Sequence, residues 1–508
     1  MNFHSLTFLL FFILFYAVYW GMLRKNIRFR NMSLLAASLF FYGWWDWRFI
    51  SLILLSITAT YSFAILAEKS GKKIWTATSI CINASILCIF KYLDFFTAQF
   101  QRIAANFFPE INLTLLGILA PVGISFYTFQ AIGYAVDVYR RKVKAEHDYV
   151  DFAVFISFFP QLVAGPIEQA SQLLPQIKSE HRWRYAEQVE GCRRILWGLL
   201  KKVAIADPCG MFVERYMANA ETSPVYATLM AILFTVQIYC DFSGYCDIAI
   251  GTARCLGIRL SENFRTPYFS TDIQDFWRRW NISLMRWFRD YIYIPLGGSH
   301  SGKTHTAFNI LTVFLLSGLW HGASPHFVVW GLYWGLLMVA FRIAGPLSRH
   351  IIKGSTNGLA GIPIVMFWVS SGLVIFRSST VPQAVHILIN VMPLMFAVAL
   401  SGSILTRLAS CQTVKKIFKH MRIPTMVAIT ALAAAALFHA PLTKFIAQYY
   451  IWAFIVIFFM AEWHTRRRLF PLQDMKVPVW GRFIIYWIGI ILVLTGCYDD
   501  TPFIYFQF

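Results

Sequence analysis

Long apolar runs alternate with short basic clusters along most of this 508-residue chain. The runs at 6–23, 50–67 and 74–93 approach the roughly 20 residues that an α-helix needs to cross a bilayer core. The run at 32–45 is shorter, which predicts half-length or re-entrant helices buried among full ones, where protein or a cavity satisfies the backbone. The pattern predicts an all-α, polytopic transmembrane helical protein with about ten to thirteen spans.

Basic residues follow every second apolar run in the first part of the chain. They cluster at 24–30, 69–73 and 139–144. Because loops rich in Lys and Arg stay on the cytoplasmic side, we expect these three loops to be cytoplasmic and the N-terminus to lie outside. The run at 6–23 is longer than the apolar part of a signal peptide and has no small-residue cleavage site after it, so we expect it to remain as a first helix.

The composition excludes a soluble protein. Hydrophobic residues make up 58% of the chain and charged residues 14%, whereas ordinary globular domains have about 25% charged residues. The net charge of +20 comes from basic residues in short loops, which favours contact with anionic membrane lipids rather than with nucleic acid. The nine cysteines form no CxxC motif and no Cys/His cluster, so we expect neither a disulfide framework nor a bound metal.

Several ionisable residues lie within the apolar sequence. His321 ends a strongly apolar run that begins at Phe308, and such a residue is normally turned toward the protein interior or a water-filled cavity. Asp241 and Asp247 are six positions apart, which places them on different faces of a helix, so we expect structural roles: capping a helix broken near Gly244, or pairing an arginine.

Two lysines and a polar interruption lie elsewhere in the second third of the chain. Lys201 and Lys202 are expected to be interfacial anchors with their ammonium groups in water. The polar stretch 254–306 contains an amphipathic helical stripe with a cationic opposite face, which is typical of an interfacial helix and offers arginines to the phosphates of an acyl donor such as coenzyme A. The stripe consists of Phe276, Trp280, Leu284, Trp287 and Tyr291.

Two segments rich in Gly and Pro precede this region. Their polar residues either pack at helix kinks or line a polar tunnel, and the pattern leaves both interpretations open. These residues are Ser125, Tyr127, Gln130, Tyr134 and Gln161.

Six sequence motifs occur in a fixed order between Pro121 and Ala323. They are PVGISFYTFQ, FFPQLVAGPI, YCDFSGYCDIAIG, ENFRTPY, DFWRRWNISLMRWFRDYIYIPLGG and GLWHGA. With these motifs the chain resembles the membrane-bound O-acyltransferase (MBOAT) family, and within it the branch of the inner-membrane subunit of bacterial alginate O-acetylation. The resemblance implies a central tunnel and a division into N-terminal helices at 1–145, a catalytic core at 146–345 and C-terminal helices at 346–508.

The resemblance also implies an enzyme and its site. His321 of GLWHGA corresponds to the family's catalytic histidine, and Asn281 to a second functional position, where the alginate branch usually has histidine. We expect His321 to act as a general base and Asn281 to orient it or to stabilise the oxyanion, with an acyl-histidine relay as the rival chemistry. Further residues are candidates for the tunnel or the donor site. They are Trp277, Arg278, Trp280, Ser283, Arg289, Asp290, Trp320, Tyr239, Asp241 and Gln130.

The expected reaction has a donor on one side of the membrane and an acceptor on the other. The resemblance implies acyl-CoA, in particular acetyl-CoA, or an acyl carrier protein as the donor substrate, with no bound cofactor. It implies an extracytoplasmic polysaccharide or partner protein as acceptor and the bacterial inner membrane as location. Two alternatives stay open: D-alanyl or other acyl transfer to a teichoic acid-like polymer, and a transporter or flippase of a lipid-linked glycan with His321 as a proton relay.

Overall fold

Helices account for all the regular structure in the part of the chain that the computed structural model describes. That part comprises residues 1–23, 26–108, 117, 121–300, 302–343, 359–410, 442–475, 477–496 and 503. The expected division between residues 345 and 346 lies outside it. The all-α prediction is confirmed.

The described residues up to position 178 form nine α-helices. They are α1 Leu6–Val18, α2 Ile27–Gly43, α3 Phe49–Ser70, α4 Lys73–Leu87, α5 Leu93–Ala104, α6 Ile124–Tyr139, α7 Tyr149–Ser157, α8 Phe159–Leu162 and α9 Ala170–Lys178. A π-helical turn, Cys88–Tyr92, joins α4 to α5 into one continuous helix.

Eleven further α-helices follow within the described residues. They are α10 Tyr185–Leu199, α11 Asp207–Met217, α12 Pro224–Cys255, α13 Ile273–Arg279, α14 Ile282–Phe288, α15 Lys303–His321, α16 Pro325–Ile343, α17 Gly361–Arg377, α18 Val381–Ser410, α19 Leu442–Thr465 and α20 Val479–Gly496. A π-helical segment, Leu200–Ala206, links α10 to α11, and another, Arg289–Tyr293, follows α14.

Six helical stretches in the described residues are long and apolar enough to cross a membrane. They are Phe49–Ser70, Lys73–Ala104, Pro224–Cys255, Pro325–Ile343, Val381–Ile404 and Val479–Gly496. Three shorter apolar helices, at Leu6–Met22, Gly361–Arg377 and Ile451–Thr465, accompany them. The predicted mixture of full-length and half-length helices is therefore present.

Helix α12 lies at the centre of the fold and packs against α10, α11, α17 and α18. It contacts α10 through glycines: a Cβ atom added to Gly244 would lie 2.8 Å from the carbonyl oxygen of Gly198. Small residues permit such close backbone approach between membrane helices. Helix α12 runs through Gly244 without interruption, so the predicted break at this glycine is wrong.

Buried ion pairs join α12 to α10 and to the segment that follows it, Leu200–Ala206. Arg194 Nε lies 2.9 Å from an oxygen of Asp247 and also pairs with Glu262. This confirms the expectation that one of the two aspartates pairs an arginine.

Both lysines of the same segment are buried. Lys201 and Lys202 are only 3% and 4% exposed. Lys201 pairs with Asp247, and Lys202 Nζ lies 2.9 Å from both Asp241 and Asp207. The predicted snorkelling is wrong, because carboxylates of α12 and α11 hold both ammonium groups inside the protein.

Candidate active site

The helix that presents His321 ends at that residue. Helix α15 stops at His321, Gly322 is extended, and α16 begins at Pro325 and packs back along α15. The two helices approach closely because a Cβ atom on Gly331 would lie 2.4 Å from the carbonyl oxygen of Phe314. The tight hairpin therefore holds His321 inside the protein, where its exposed fraction is 7%.

Aromatic rings enclose the imidazole of His321 on several sides. Its ring centre lies 4.9 Å from that of Trp320, 4.8 Å from that of Trp330 and 5.2 Å from that of Phe376, each with near-perpendicular planes. Edge-to-face packing of this kind restricts ring rotation. The imidazole is thus held in one orientation by α15, α16 and α17.

A narrow cavity of about 20 Å³ lies beside His321. Its wall comes from five helices and is mainly aromatic: Ile238, Phe242, Phe276, Trp277, Trp280, His321, Trp330, Trp334, Val369, Leu373 and Phe376. Space of this size holds about one water molecule. The predicted residues Trp277 and Trp280 are therefore brought together with His321.

Three indole N–H groups around this cavity find no hydrogen-bond acceptor among the described residues. They belong to Trp277, Trp330 and Trp334. Buried polar groups are normally hydrogen-bonded, so unpaired donors next to an imidazole are an unusual feature that a bound substrate would resolve. Sequence reasoning missed Trp330 and Trp334, although their spacing of four on the helix after GLWHGA places them on one face.

Asn281 lies at a break in the predicted amphipathic helix. It separates α13 from α14 and has a positive φ of 44°, a left-handed conformation that Asn tolerates better than most residues. The break is held by the amide of Ile282, which donates to Asn263 O at 2.9 Å. The predicted stripe is therefore divided between two short helices and a π-helical turn rather than carried by one helix.

The side chain of Asn281 is buried, with an exposed fraction of 2%. Its Oδ1 atom has no hydrogen-bond partner within the described part of the chain. Asn281 follows Trp280, which lines the cavity beside His321, but Asn281 itself is not part of the lining. The structure thus places it behind the cavity wall.

A larger, cationic cavity of about 510 Å³ lies next to the first. Arg278, Arg286, Arg289 and Arg342 line it together with Gln274, Trp277, Ile282, Met285, Tyr293, Ile310, Val313, Phe314 and Met338. The predicted residues Arg278 and Arg289 lie here. Trp277 lines both cavities and so stands between the arginines and the histidine.

The structure places three predicted residues in hydrogen-bonded packing positions away from both cavities. Gln130 Nε2 donates to Phe155 O at 2.8 Å, and Ser283 Oγ donates to Asn263 Oδ1 at 2.9 Å. Asp290 accepts from Arg289 Nε at 2.8 Å, which leaves that arginine paired at the rim of the cationic cavity. Gln130 and Ser283 also line a separate, smaller cavity of about 10 Å³, so Gln130 both packs against α7 and borders a cavity.

Tyr239 and Asp241 belong to the buried polar network on α12. The Tyr239 hydroxyl donates to Glu462 at 2.8 Å, and Asp241 pairs with Lys202. Tyr239 also contacts Trp280, with ring centres 6.2 Å apart, so this network borders the cavity wall from behind.

Trp320 joins the site to α6, since its ring lies 5.3 Å from that of Phe126. Its neighbourhood also contains Lys91, whose Nζ lies 5.8 Å from the Trp320 ring centre. Sequence reasoning missed Lys91, although the same signal, an ionisable residue in an apolar run, identified His321.

Within the described ranges no group of three or more His, Cys, Asp or Glu side chains is arranged to hold a metal ion.

Comparison with known proteins places the site inside the region that a family model matches. A family model described as MBOAT, membrane-bound O-acyltransferase family, matches residues 141–378, which include His321, Asn281 and every residue that lines the narrow cavity. A Pseudomonas aeruginosa protein named "Probable alginate O-acetylase AlgI" is 36% identical over 381 residues, which cover 74% of this chain and 72% of that protein.

Two other relatives carry different names. The peptidoglycan O-acetyltransferase of Helicobacter pylori is 34% identical over 395 residues, covering 72% of this chain and 74% of the relative. The teichoic acid D-alanyltransferase of Bacillus subtilis is 27% identical over 238 residues, covering 44% and 60%.

Proposed function

This chain belongs to the membrane-bound O-acyltransferase family, and on that premise we propose that it transfers an acyl group, in the first instance acetyl, to a polysaccharide hydroxyl, with His321 as general base. It is a multi-pass membrane acyltransferase. The donor is a cytoplasmic thioester and the acceptor is extracytoplasmic. One observation carries this proposal. The imidazole of His321 borders an aromatic cavity, and Trp277 lines both that cavity and the neighbouring arginine-lined cavity.

The cationic cavity is the proposed donor site. Guanidinium groups bind phosphate oxygens with two parallel hydrogen bonds, and four arginines in one cavity suit a donor with several phosphates. Acetyl-CoA carries several phosphate groups. The prosthetic arm of an acyl carrier protein carries a single phosphate, which the same arginines can also bind. In both donors the thioester lies at the end of a long flexible arm that extends from the arginines toward Trp277.

Access to His321 requires a movement of the wall. The cavity beside the imidazole accommodates about one water molecule and is too small for an acetyl thioester together with a sugar hydroxyl. We propose that the Trp277 side chain rotates to join the two cavities. Its indole N–H has no acceptor within the described residues, so rotation breaks no hydrogen bond there.

The proposed chemistry at His321 is direct transfer. An imidazole nitrogen accepts the proton of the sugar hydroxyl while the hydroxyl oxygen attacks the thioester carbonyl. A C–O bond forms, the C–S bond breaks, and the proton passes from the imidazolium to the leaving thiolate. The rings of Trp330 and Phe376 pack edge-to-face on the imidazole and restrict the positions it can take relative to the substrates.

Hydrogen-bond donors near the reacting carbonyl would stabilise the oxyanion. The unpaired indole N–H of Trp330, whose ring packs on His321, is one candidate. The side-chain amide of Asn281 is a second candidate, and because Asn281 lines neither cavity its amide reaches the carbonyl only after the wall moves. A single donor of this kind is worth about 3 kcal/mol in well-studied enzymes. The Trp330 N–H has no acceptor among the described residues, so its use costs no hydrogen bond there.

The acceptor is proposed from the relatives. Two of them are named for O-acetylation of alginate and of peptidoglycan, both carbohydrate polymers, so a glycan hydroxyl is the proposed acceptor. The relative named for D-alanyl transfer is less similar and matches less of this chain. The transporter alternative has no support among these relatives, which are all named as transferases or acetylases.

The test uses the purified chain in lipid nanodiscs with acetyl-CoA and, separately, with an acetylated carrier protein. We expect release of free thiol that increases when a soluble fraction of cell-envelope glycan is added, together with alkali-labile acetate on the glycan. Absence of thiol release with both donors and of glycan acetylation would contradict the proposal.

The same preparation separates direct transfer from a histidine relay. Direct transfer predicts that radiolabelled acetyl-CoA leaves no label on the protein in the absence of glycan. Stable labelling that is lost on addition of hydroxylamine or glycan, and is absent in His321→Ala, would establish the acyl-histidine relay instead.

A further inference from the structure

A half-buried lysine anchors the end of the helix that presents His321. Lys91 is the single charged residue in the apolar stretch 74–92 and lies in the continuous helix Lys73–Ala104, which is long enough to span a membrane. A charged side chain at such a position is costly and is retained mainly where it has a function. The question is therefore what Lys91 does there.

Its ammonium group binds the last carbonyls of α15. Lys91 Nζ donates to the carbonyl oxygen of Trp320 at 2.6 Å and to that of His321 at 3.2 Å. The next residue, Tyr92, donates its hydroxyl to the carbonyl oxygen of Leu319 at 2.7 Å. Two neighbouring side chains thus occupy three successive carbonyl groups at one helix end.

These carbonyls need external partners. The last four C=O groups of an α-helix have no N–H partner within the helix, and no glycine in left-handed conformation closes α15, since Gly322 has a φ of −168°. In an apolar interior, water does not replace the missing donors. A cation at this position also interacts favourably with the negative end of the helix dipole.

The anchoring acts directly on the catalytic geometry. His321 is the last residue of α15, where backbone angles are least restrained by the helix itself. Holding the carbonyls of residues 319–321 fixes the direction of the Cα–Cβ bond of His321, and the rings of Trp330 and Phe376 then fix the imidazole. The π-helical turn Cys88–Tyr92 carries both anchoring residues, and such turns occur frequently at functional sites.

We propose that Lys91 is a positioning residue for acyl transfer: with Tyr92 it caps the C-terminal end of α15 and so holds the His321 imidazole at the reacting atoms. The inference rests on the proposed function of His321. Lys91 itself touches no reacting atom in this account. It also lies on a different helix from the arginines of the donor cavity, so donor binding is expected to be independent of it.

The test compares Lys91→Met, Lys91→Arg and Tyr92→Phe with the control Lys73→Met, whose side chain lies exposed at the start of the same helix. We expect Lys91→Met to lower kcat about tenfold to a hundredfold, because a displacement near 1 Å at the reacting group has effects of this size. The KM for acetyl-CoA should stay within about threefold of wild type. Lys91→Arg should recover most of kcat, since guanidinium also donates to two carbonyls, and Tyr92→Phe should have a smaller effect.

Two results would overturn the inference. One is a wild-type kcat in Lys91→Met at equal protein amount. The other is an equal loss of kcat and of thermal stability in Lys91→Met and Lys91→Arg, which would assign Lys91 to folding alone. A His321→Ala variant measured alongside distinguishes failure of the proposed function from failure of this inference. If His321→Ala retains activity, the proposed function is wrong. If His321→Ala is inactive and Lys91→Met has normal activity, only the role of Lys91 is wrong.

Discussion

Burial determines the role of individual polar residues in this protein. His321, Asn281 and Lys91 all lie within apolar surroundings, yet each has a different task because its neighbours differ: aromatic rings for the imidazole, a helix break for the amide and helix-end carbonyls for the ammonium group. Sequence reasoning identified His321 and Asn281 from the resemblance. It missed Lys91, because its carbonyl partners lie about 230 positions away in the chain.

Asn281 has two separable contributions, its amide and its left-handed backbone. Glycine keeps the backbone conformation without strain but removes the amide, whereas alanine removes the amide and adds strain of about 1 kcal/mol. We expect Asn281→Gly and Asn281→Ala to lower kcat alike, by about a hundredfold, and only Asn281→Ala to lower the melting temperature. Acetyl transfer rates and thermal unfolding of the two variants check this, and full activity of Asn281→Gly would exclude a role for the amide.

Arg278 is expected to act on donor binding rather than on the chemical step. It lines the cationic cavity, and a charge-assisted hydrogen bond to phosphate is worth about 1.5 to 3 kcal/mol. Arg278→Gln should therefore raise the KM for acetyl-CoA about tenfold or more while kcat changes little. The exposed Arg102 offers a matched control, Arg102→Gln. An unchanged KM in Arg278→Gln would place the donor elsewhere.

Packing between helices explains the positions of the elements. Helices α10 and α12 meet through glycines and buried ion pairs, and α15 and α16 meet through Gly318 and Gly331. The sequence predicted that helices exist in these places from hydropathy. It did not predict the continuous α12 or the break at Asn281, because the first depends on ion pairs with a neighbouring helix and the second on a hydrogen bond to Asn263.

The pairing of Arg194 with Asp247 and Glu262 is expected to stabilise the contact between α10 and α12. Removing one partner of a buried ion pair leaves an uncompensated charge and costs about 3 to 5 kcal/mol. Arg194→Met should therefore lower the melting temperature strongly. Arg259→Met, which breaks an ion pair whose arginine is exposed, should change stability by about 1 kcal/mol or less. Equal stability of the two variants would contradict a stabilising role of the buried pair.

Gly331 is expected to tolerate no side chain. A Cβ atom there would lie 2.4 Å from the carbonyl oxygen of Phe314, so Gly331→Ala forces α15 and α16 apart and moves His321. The control is Gly489→Ala in α20, where the nearest atom would be 3.4 Å away and alanine favours the helix by about 1 kcal/mol. Thermal unfolding and acetyl transfer should both fall in Gly331→Ala and stay normal in Gly489→Ala. Normal activity in both would mean that this hairpin adapts without consequence.

At the scale of the whole molecule, the sequence predicted the fold class and its mixture of long and short helices. Alternating hydropathy and the low charged fraction are sufficient for that. They are insufficient for the details of charge placement: Arg30, predicted in a cytoplasmic loop, is buried in α2 and donates through Nη1 to Ser179 O at 2.7 Å. Local charge reports membrane orientation only where the side chain remains in water, and that depends on tertiary packing.

The two cavities form only when helices from distant parts of the chain pack together. Helices α12, α13, α15, α16 and α17 contribute to the wall beside His321, and α13 to α16 contribute to the arginine-lined cavity. No local pattern predicts that Trp277 lines both. In the proposed reaction, the membrane domain is a scaffold that brings a donor thioester and an acceptor hydroxyl to one imidazole.

Acyl transfer across a membrane by a His321→Ala variant tests this account most directly. Radiolabelled acetyl-CoA is supplied outside proteoliposomes of uniform orientation that contain polysaccharide inside, and labelled polysaccharide is measured at equal amounts of folded protein. His386→Ala, a change at a histidine with an exposed side chain, is the control. We predict that His321→Ala gives no more label than empty vesicles while His386→Ala matches wild type; wild-type labelling by His321→Ala would contradict the account.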